Sequence, residues 1–391
     1  MNTKLISILN NKEGESRLDK LIRTYQKVYG LKTIMHSEKV SKEFYSYCQR
    51  GKFFIEIIAH NSKREIFIQR DLRRNKNLWE LIGGWINQNE SFEEALDNVV
   101  AKETGSTLVE AIPIALIKNV YYTDKDNKVV HTGILYMGML KDDAALFENG
   151  IFTSEPQKYL EAKDKKIAAI GQSILKKKVI QPPVNEIESY VESKWGQVFH
   201  KYLIKPISYI GGSKILKETV IGQIKKSDDS ILDVACGDDL TVLRLITPDR
   251  IVVANDISRN SFKKISKRDK SKSVIFSNQN MVDMKFAKKF DVIIVKNVLH
   301  HLRNPEEIDY FFNNLKNRGS RFVIMDIVDP KLSLLARIWN KYYVWILRDQ
   351  GELFINYEQF KQIMNLYFSD QKVKFMKIWT VKGPYMMATI N

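Results

Sequence analysis

The sequence predicts an α/β protein in two parts, an N-terminal α+β unit and a C-terminal doubly wound parallel sheet. Three observations carry this. The second half alternates short, almost wholly apolar segments ("SILDVAC", "RIVVANDI", "FDVIIVKNV") with amphipathic ones. Strands apolar on both faces belong in a parallel sheet covered by helices on each side. The first half instead groups its strands in pairs, with helices before, between and after them. Between the halves, "VIQPPVN", residues 179–185, sets two prolines between helical patterns. It divides the chain into 1–178 and 179–391.

Residues 1–50 read as helical, with "ESRLDKLIRTYQKVYG" apolar at helical spacing and closed by Gly30. "KFFIEIIAH" and "REIFIQRD" read as strands joined by the short polar "NSK". "SFEEALDNVVAKETG" is a helix that Ser91 caps, with Glu94 completing a capping box and Gly105 as its stop. Strands "EAIPIALIKNVYYT" and "KVVHTGILYMGML" and a helix at "KDKKIAAIGQSILKKK" complete this part. After the prolines come two helical stretches, then the alternation, a helix at "NYEQFKQIMNLYF" and two late strands.

Composition narrows the function classes. No apolar run reaches the roughly 18 residues that span a bilayer. The N-terminus lacks the apolar stretch and cleavage site of a secretory signal, so a cytoplasmic location is expected. Two cysteines, Cys48 and Cys236, support neither a disulfide framework nor a cysteine-rich zinc site, and no metal site is expected. The net charge is +16, of which +12 lies in residues 201–391. The densest basic run, residues 258–273, carries one aromatic, Phe262. That pattern suits a solvated helix face better than a stacking platform for single-stranded nucleic acid.

In an open α/β sheet a ligand lies beyond the carboxyl ends of the strands, where the strand order reverses. The loop "DVACGDD" follows the first strand of the alternation. Gly237 there permits a positive φ and close backbone approach. Asp233 is a carboxylate in an apolar setting and needs partners. Asp256 ends the second strand, about 20 residues on, where an acidic side chain can accept both hydroxyls of a ribose.

These residues, with "NMVDMKF" and "FDVIIVKNVLHHLRNPEE", resemble class I S-adenosylmethionine-dependent methyltransferases, Rossmann-like enzymes. The resemblance runs from about residue 185 to 391 and is to the small-molecule type of quinone and natural-product biosynthesis. It implies that Asp233, Ala235, Cys236 and Gly237 cradle the methionine part of the cofactor. Asp256 would hold the ribose and Ile257 line the adenine. Asn280 stands where the family usually has an acidic residue touching the adenine amino group, and Met281 would pack on the base. Asn297 would face the reactive end. Ala235 and Asp239 depart from the family's glycines. His300 and His301, beyond the fourth strand, are candidate bases for a hydroxyl or amine nucleophile. Aromatic segments around Tyr190, Trp195 and Phe199 and over residues 335–354 would cover the acceptor, and Arg337 and Arg348 could hold an acidic group on it.

In the first half, "LWELIGGWINQNESFEEALDNVVAKETG" resembles the Nudix box of hydrolases acting on nucleoside diphosphates. Gly84, Glu90, Glu103 and Gly105 fit its spacing. The Arg-Glu pair of that signature is Asn98 and Val99 here, and Lys102 replaces a glutamate. Such sites hold magnesium on clustered carboxylates. The resemblance therefore implies a Nudix-like unit without hydrolase activity. The expectation is a methyltransferase acting on a small-molecule acceptor at O, N or C, one that could carry a nucleotide, with the first unit used for binding or docking. Two other readings stay open: an RNA or nucleotide methyltransferase, and a non-catalytic regulatory protein that binds a cofactor or nucleotide.

Overall fold

The structure is a computed structural model. It describes residues 17–48, 52–70, 78–87, 89–124, 127–141, 150–177, 202, 212–237, 241–247, 249–302, 304–329, 331, 333–334, 336–338, 340–341, 353–380 and 383–391. The chain divides into two compact units, Met1–Lys177 and Lys178–Asn391. Among the described residues no helix is long and apolar enough to cross a membrane.

In the first unit, helix α1 (Arg17–Tyr29) buries Leu18, Leu21, Ile22, Tyr25 and Val28, one face at helical spacing. The helical reading of residues 1–50 fails after it, because β1 (Thr33–Lys39) is a strand. Thr33 and Ile34 are β-branched, and β6 (Leu108–Tyr122) supplies a parallel ladder that local helical spacing cannot foresee. Helix α2 (Lys42–Cys48) follows. Then come β2 (Phe53–His60), β3 (Ile66–Arg70), β4 (Trp79–Glu80) and β5 (Ile82–Trp85). Helix α3 (Phe92–Thr104) begins with the expected capping box between Ser91 and Glu94. The long hairpin of β6 and β7 (Lys128–Leu140), β8 (Gly150–Thr153) and α4 (Ala162–Lys177) finish the unit. The sheet runs β1-β6-β7-β2-β3-β4, with β5 beside β2 and β8 beside β3. The buried strand β2 carries Glu56, whose carboxylate meets Lys163 of α4 at 2.8 Å.

In the second unit, α5 (Lys214–Ile221) precedes β9 (Ser230–Val234). The alternation continues through α6 (Thr241–Arg244), β10 (Ile251–Asn255), α7 (Arg259–Ser266), β11 (Ile275–Ser277), β12 (Phe290–Lys296), α8 (Pro305–Lys316) and β13 (Gly319–Ile327). Helix α9 (Tyr357–Tyr367) and strands β14 (Val373–Thr380) and β15 (Gly383–Ile390) end the chain. The sheet order is β11-β10-β9-β12-β13-β15-β14. The pairs from β11 to β13 are parallel; β15 runs antiparallel to both its neighbours. The Rossmann-like expectation holds: the order reverses between β9 and β12, so a crevice opens at their carboxyl ends.

The sheet is apolar where the helices cover it. Leu216 and Val220 of α5, Val242 of α6 and Phe262 of α7 pack with Ile231 and Val292 in one core. Arg321, near the start of β13, forks onto both oxygens of Asp228 just before β9, at 2.9 and 2.8 Å. This buried ion pair ties the amino ends of the strands together, opposite the crevice.

Candidate functional site

The crevice is built from the loop after β9. Cys236 donates its backbone N–H to the Asn255 carbonyl (2.9 Å), holding the loop against β10. Ala235 and Gly237 both adopt the left-handed conformation, with φ of 49° and 57°. An alanine there costs about 1 kcal/mol that glycine would not. Among the described residues a Cβ on Gly237 would meet nothing within 4 Å.

Asp256, the residue after β10, is the loop's anchor. Its Oδ2 accepts from the Gly237 N–H at 2.7 Å and its Oδ1 from the Ser258 N–H at 2.8 Å. Each carboxylate oxygen can accept a second bond. Beside it, Ile257 is an exposed apolar side chain on the rim.

Asp233 lies 1% exposed near the end of β9, and among the described residues its Oδ2 accepts no hydrogen bond. Burial raises its carboxyl to about 6; Lys296 pulls it down and Asp256 pushes it up. Burial also pushes the Cys236 thiol well up, helped by Asp256 and Asp233, so it stays a neutral packing group. A buried carboxylate with one oxygen lacking a described partner, beside a glycine at positive φ, fits a cationic group such as the ammonium of a methionine moiety.

The next rim segment is "SNQNMVD", residues 277–283. Asn278 donates to the Asp256 and Ile257 carbonyls (3.0 and 2.7 Å) and fixes the backbone around Asp256. The Asn280 side-chain oxygen accepts from the Val282 N–H at 3.0 Å, so it shapes its own turn. The adenine contact inferred from the resemblance would have to share that oxygen. Met281 is half-buried beside it. Asn297, exposed after β12 at φ 56°, donates its N–H to the Met325 carbonyl. Asparagine tolerates that conformation better than most residues.

The two histidines differ. They lie in a short 3-10 turn, Leu299–His301, with rings 4.2 Å apart. His300 is buried, and its Nδ1 is 2.7 Å from Asp326 Oδ1. Asp326, at the end of β13, is 1% exposed. Its Oδ2 accepts from the backbone N–H groups of Val298, Leu299 and His300, and its Oδ1 from Ile327. Burial pushes this carboxyl up, but His300 and these N–H groups outweigh it and hold it below the usual range. Phe354 stacks on the His300 ring at 5.8 Å and 8° between planes. His301 is half-buried, and its backbone N–H closes the turn onto Val298. The structure thus gives His300 a carboxylate partner that the sequence reading missed. A lone aspartate in the apolar run "RFVIMDIV" was the available signal.

Other expected site residues fall elsewhere. Arg337 donates its guanidinium to the Lys331 carbonyl, closing its own turn. Tyr190, Trp195, Phe199, Asp239 and Arg348 lie outside the described residues.

The carboxylates of the box in the first unit are held by nearby side chains. Glu90 accepts from the side chains of Asn98 (2.6 Å) and Asn87 (3.2 Å). Glu103 accepts from Gln69 at 3.0 Å and lies 3.4 Å from Lys102 Nζ. A Cβ on Gly84 would come within 2.6 Å of Val99, so this glycine serves strand–helix packing. Among the described residues no group of three His, Cys, Asp or Glu side chains is placed to hold a metal ion.

Three solved structures similar to this chain are methyltransferases. The N-methyltransferase NodS from Bradyrhizobium japonicum WM9 is 12% identical at a TM-score of 0.36, covering 45% of this chain and 94% of its own. The plantazolicin methyltransferase BamL, solved with a triazolic desmethyl analogue and SAH, is 16% identical at 0.39, covering 52% and 93%. The magnesium protoporphyrin IX methyltransferase ChlM from Synechocystis PCC 6803, with bound SAH, is 13% identical at 0.41, covering 52% and 98%. No curated protein matches the chain. Residues 225–378 match a family model described as a methyltransferase domain, a stretch that runs from just before β9 into β14 and leaves the first unit outside it. The match lies wholly within the second unit, Lys178–Asn391.

Proposed function

We propose that this domain is an S-adenosylmethionine-dependent methyltransferase acting on a small-molecule acceptor. The observation that carries the reading is the crevice itself, as its described residues form it: the buried Asp233 carboxylate with an Oδ2 lacking a described partner, Gly237 at positive φ, and the Asp256 carboxylate holding the same loop. Asp233 would take the ammonium of the methionine moiety, Asp256 the ribose hydroxyls, and Ile257 and Met281 the adenine faces. When bound, the cofactor supplies an activated methyl group on a sulfonium. The chain's own work is alignment and proton removal. Asp326 holds His300 through Nδ1 and favours its charged form, so His300 exchanges its proton through Nε2. A base of this kind serves an acceptor that loses a proton, which favours oxygen or nitrogen over carbon.

The first unit is, in this reading, a Nudix-like binding or docking unit that hydrolyses nothing. Lys102 beside Glu103 and the Asn98 amide on Glu90 occupy the carboxylates that a magnesium cluster would need. Incubation with magnesium and a panel of nucleoside diphosphate compounds is expected to give no turnover. Hydrolysis lost in Glu103→Gln would overturn this part.

Calorimetry with S-adenosylhomocysteine tests the central reading. Binding is expected, and it should weaken as pH falls through about 6, because Asp233 must be ionised to take the ammonium. The stability effect has the opposite sign. A carboxyl raised from 3.8 in the unfolded chain to about 6 when folded favours the folded state most below 3.8 and loses that advantage as pH rises to about 6. Asp233→Asn should therefore melt no lower than wild type at pH 7.5 while binding the ligand more weakly. No heat of binding at any pH would leave a non-catalytic protein. Methyl transfer to RNA with steeply salt-dependent binding would favour the nucleic-acid alternative.

A further inference from the structure

The carboxyl edge of the second sheet carries a face that the crevice does not use. Strand β15 runs antiparallel to β13, and β14 antiparallel to β15, so β14 points the same way as β13. Its last residues, Trp379 and Thr380, therefore lie on the edge where the crevice loops emerge. They pair with Pro384 and Gly383 at the start of β15. The connection between β13 and α9 is tied to this edge at both ends. The Asp329 N–H donates to the Ile355 carbonyl (3.1 Å) and the Leu353 N–H to the His300 carbonyl (3.2 Å).

Within that connection, residues 334, 336–338 and 340–341 are helical. Ser333 opens the turn: its carbonyl accepts from the Arg337 N–H (2.9 Å) and its hydroxyl from the Ala336 N–H (3.4 Å). Ala336 is fully buried, and a Cβ on Gly383 would come within 2.7 Å of the Ala336 Cβ, so the turn lies against the start of β15. Leu334 and Ile338 are four residues apart with Ala336 midway, so they share the face turned away from the sheet. Leu334 is 74% exposed and Ile338 58%. Trp379, at the same hairpin, is 71% exposed. Single exposed apolar side chains are ordinary, but large ones gathered at one hairpin end mark a docking surface.

Cations accompany them. Lys331, Arg337 and Lys341 are exposed on the connection, and Lys377, on the Trp379 face of β14, lies 4.3 Å over the Tyr357 ring. The described carboxylates of these segments are engaged, Asp329 with the Lys331 N–H and Glu358 with Lys361. Residues 201–391 carry a net +12. A second copy of this face would bring like charges together, and leucine and isoleucine offer a nucleobase no stacking plane. An anionic bilayer answers both features: apolar side chains enter the headgroup region while lysine and arginine stay with the lipid phosphates. Tryptophan favours the same interface.

We propose that this face docks the protein on an anionic lipid surface, with Leu334, Ile338 and Trp379 inserted and Lys331, Arg337, Lys341 and Lys377 on the headgroups. The protein lies on such a surface without spanning it. The connection that bears the face is tied to His300, so docking holds the crevice edge at the lipid.

Co-sedimentation with vesicles tests this in the full chain. Binding is expected to vesicles of equal parts phosphatidylcholine and phosphatidylglycerol, with much weaker binding to phosphatidylcholine alone and a fall in affinity as salt rises. Combining Leu334→Ser, Ile338→Ser and Trp379→Ser should weaken binding by about tenfold or more, since the inserted apolar area is lost. Leu366→Ser, as exposed as Trp379 but at the far end of α9, should leave it unchanged. A triple variant that binds like wild type overturns the inference, as does a comparable loss in Leu366→Ser or equal binding to both vesicles. Two other occupants would also overturn it. A wild-type dimer that becomes a monomer in the triple variant, with no vesicle binding, gives the face to a second copy. Salt-sensitive binding to RNA with none to vesicles gives it to nucleic acid. Calorimetry with S-adenosylhomocysteine separates this from the cofactor reading. Vesicle binding without ligand binding leaves docking standing and sinks that reading, and the reverse sinks docking alone.

Discussion

Asp256→Ala is expected to weaken S-adenosylhomocysteine binding by about 100-fold, near 2.7 kcal/mol. The carboxylate does two things in one place. It accepts the Gly237 and Ser258 N–H groups, so it sets the loop and the start of α7. In the proposed function it also accepts the ribose hydroxyls. Removing it leaves two backbone donors without their acceptor and the ligand without its ribose contact. Hydrogen bonds to a charged group are worth about 1.5–3 kcal/mol each, so the loss of several is only partly offset by water. Asp256→Asn separates the two roles. One oxygen survives, but the amide NH2 must face a backbone N–H, and an intermediate loss of about tenfold is expected. Unchanged affinity in Asp256→Ala, with melting unchanged, would contradict the assignment of the crevice.

Much of this crevice was legible because it is written locally. Strand, loop and acidic strand end follow one another in "ILDVACGDDL" and "VVANDIS", and Asp256 answers backbone N–H groups close by. The capping box at Ser91 and Glu94 was legible for the same reason: both partners sit within one turn. What escaped depended on partners far along the chain. Strand β1 forms because β6, more than 70 residues later, offers it a ladder. Asp326 meets His300 across 26 residues and one strand crossing. The segment whose spacing resembles a Nudix box shows the reverse case. Its spacing is local and was visible, but Gly84 packs on Val99, a contact that answers to core packing as fully as to chemistry.

His300→Gln should lower kcat by about 10²- to 10⁴-fold, the usual contribution of a positioned base, and leave S-adenosylhomocysteine affinity within a factor of two. His301→Gln should cost far less, because the described carboxylate of Asp326 reaches His300. The informative variant is Asp326→Asn. Asp326 is held below the usual carboxylate range, so it stays charged through neutrality; its stabilising effect is complete above about 4 and is lost only as pH falls through its lowered value. With S-adenosylmethionine held saturating, so that the Asp233 titration near 6 does not limit, an acid limb above that range in kcat/KM for the acceptor belongs to the histidine. A neighbouring carboxylate favours the imidazolium, and its neutralisation disfavours it. Asp326→Asn should accordingly shift the acid limb of kcat/KM to lower pH and reduce kcat by about tenfold or more, as the ring loses its charged partner. A merely structural aspartate would lower the melting temperature and leave that limb in place. If the limb does not move in Asp326→Asn while kcat collapses in His300→Gln, His300 acts without its buried partner. If kcat holds in both His300→Gln and His301→Gln, the turn after β12 is packing alone, and the group that removes the acceptor's proton lies elsewhere.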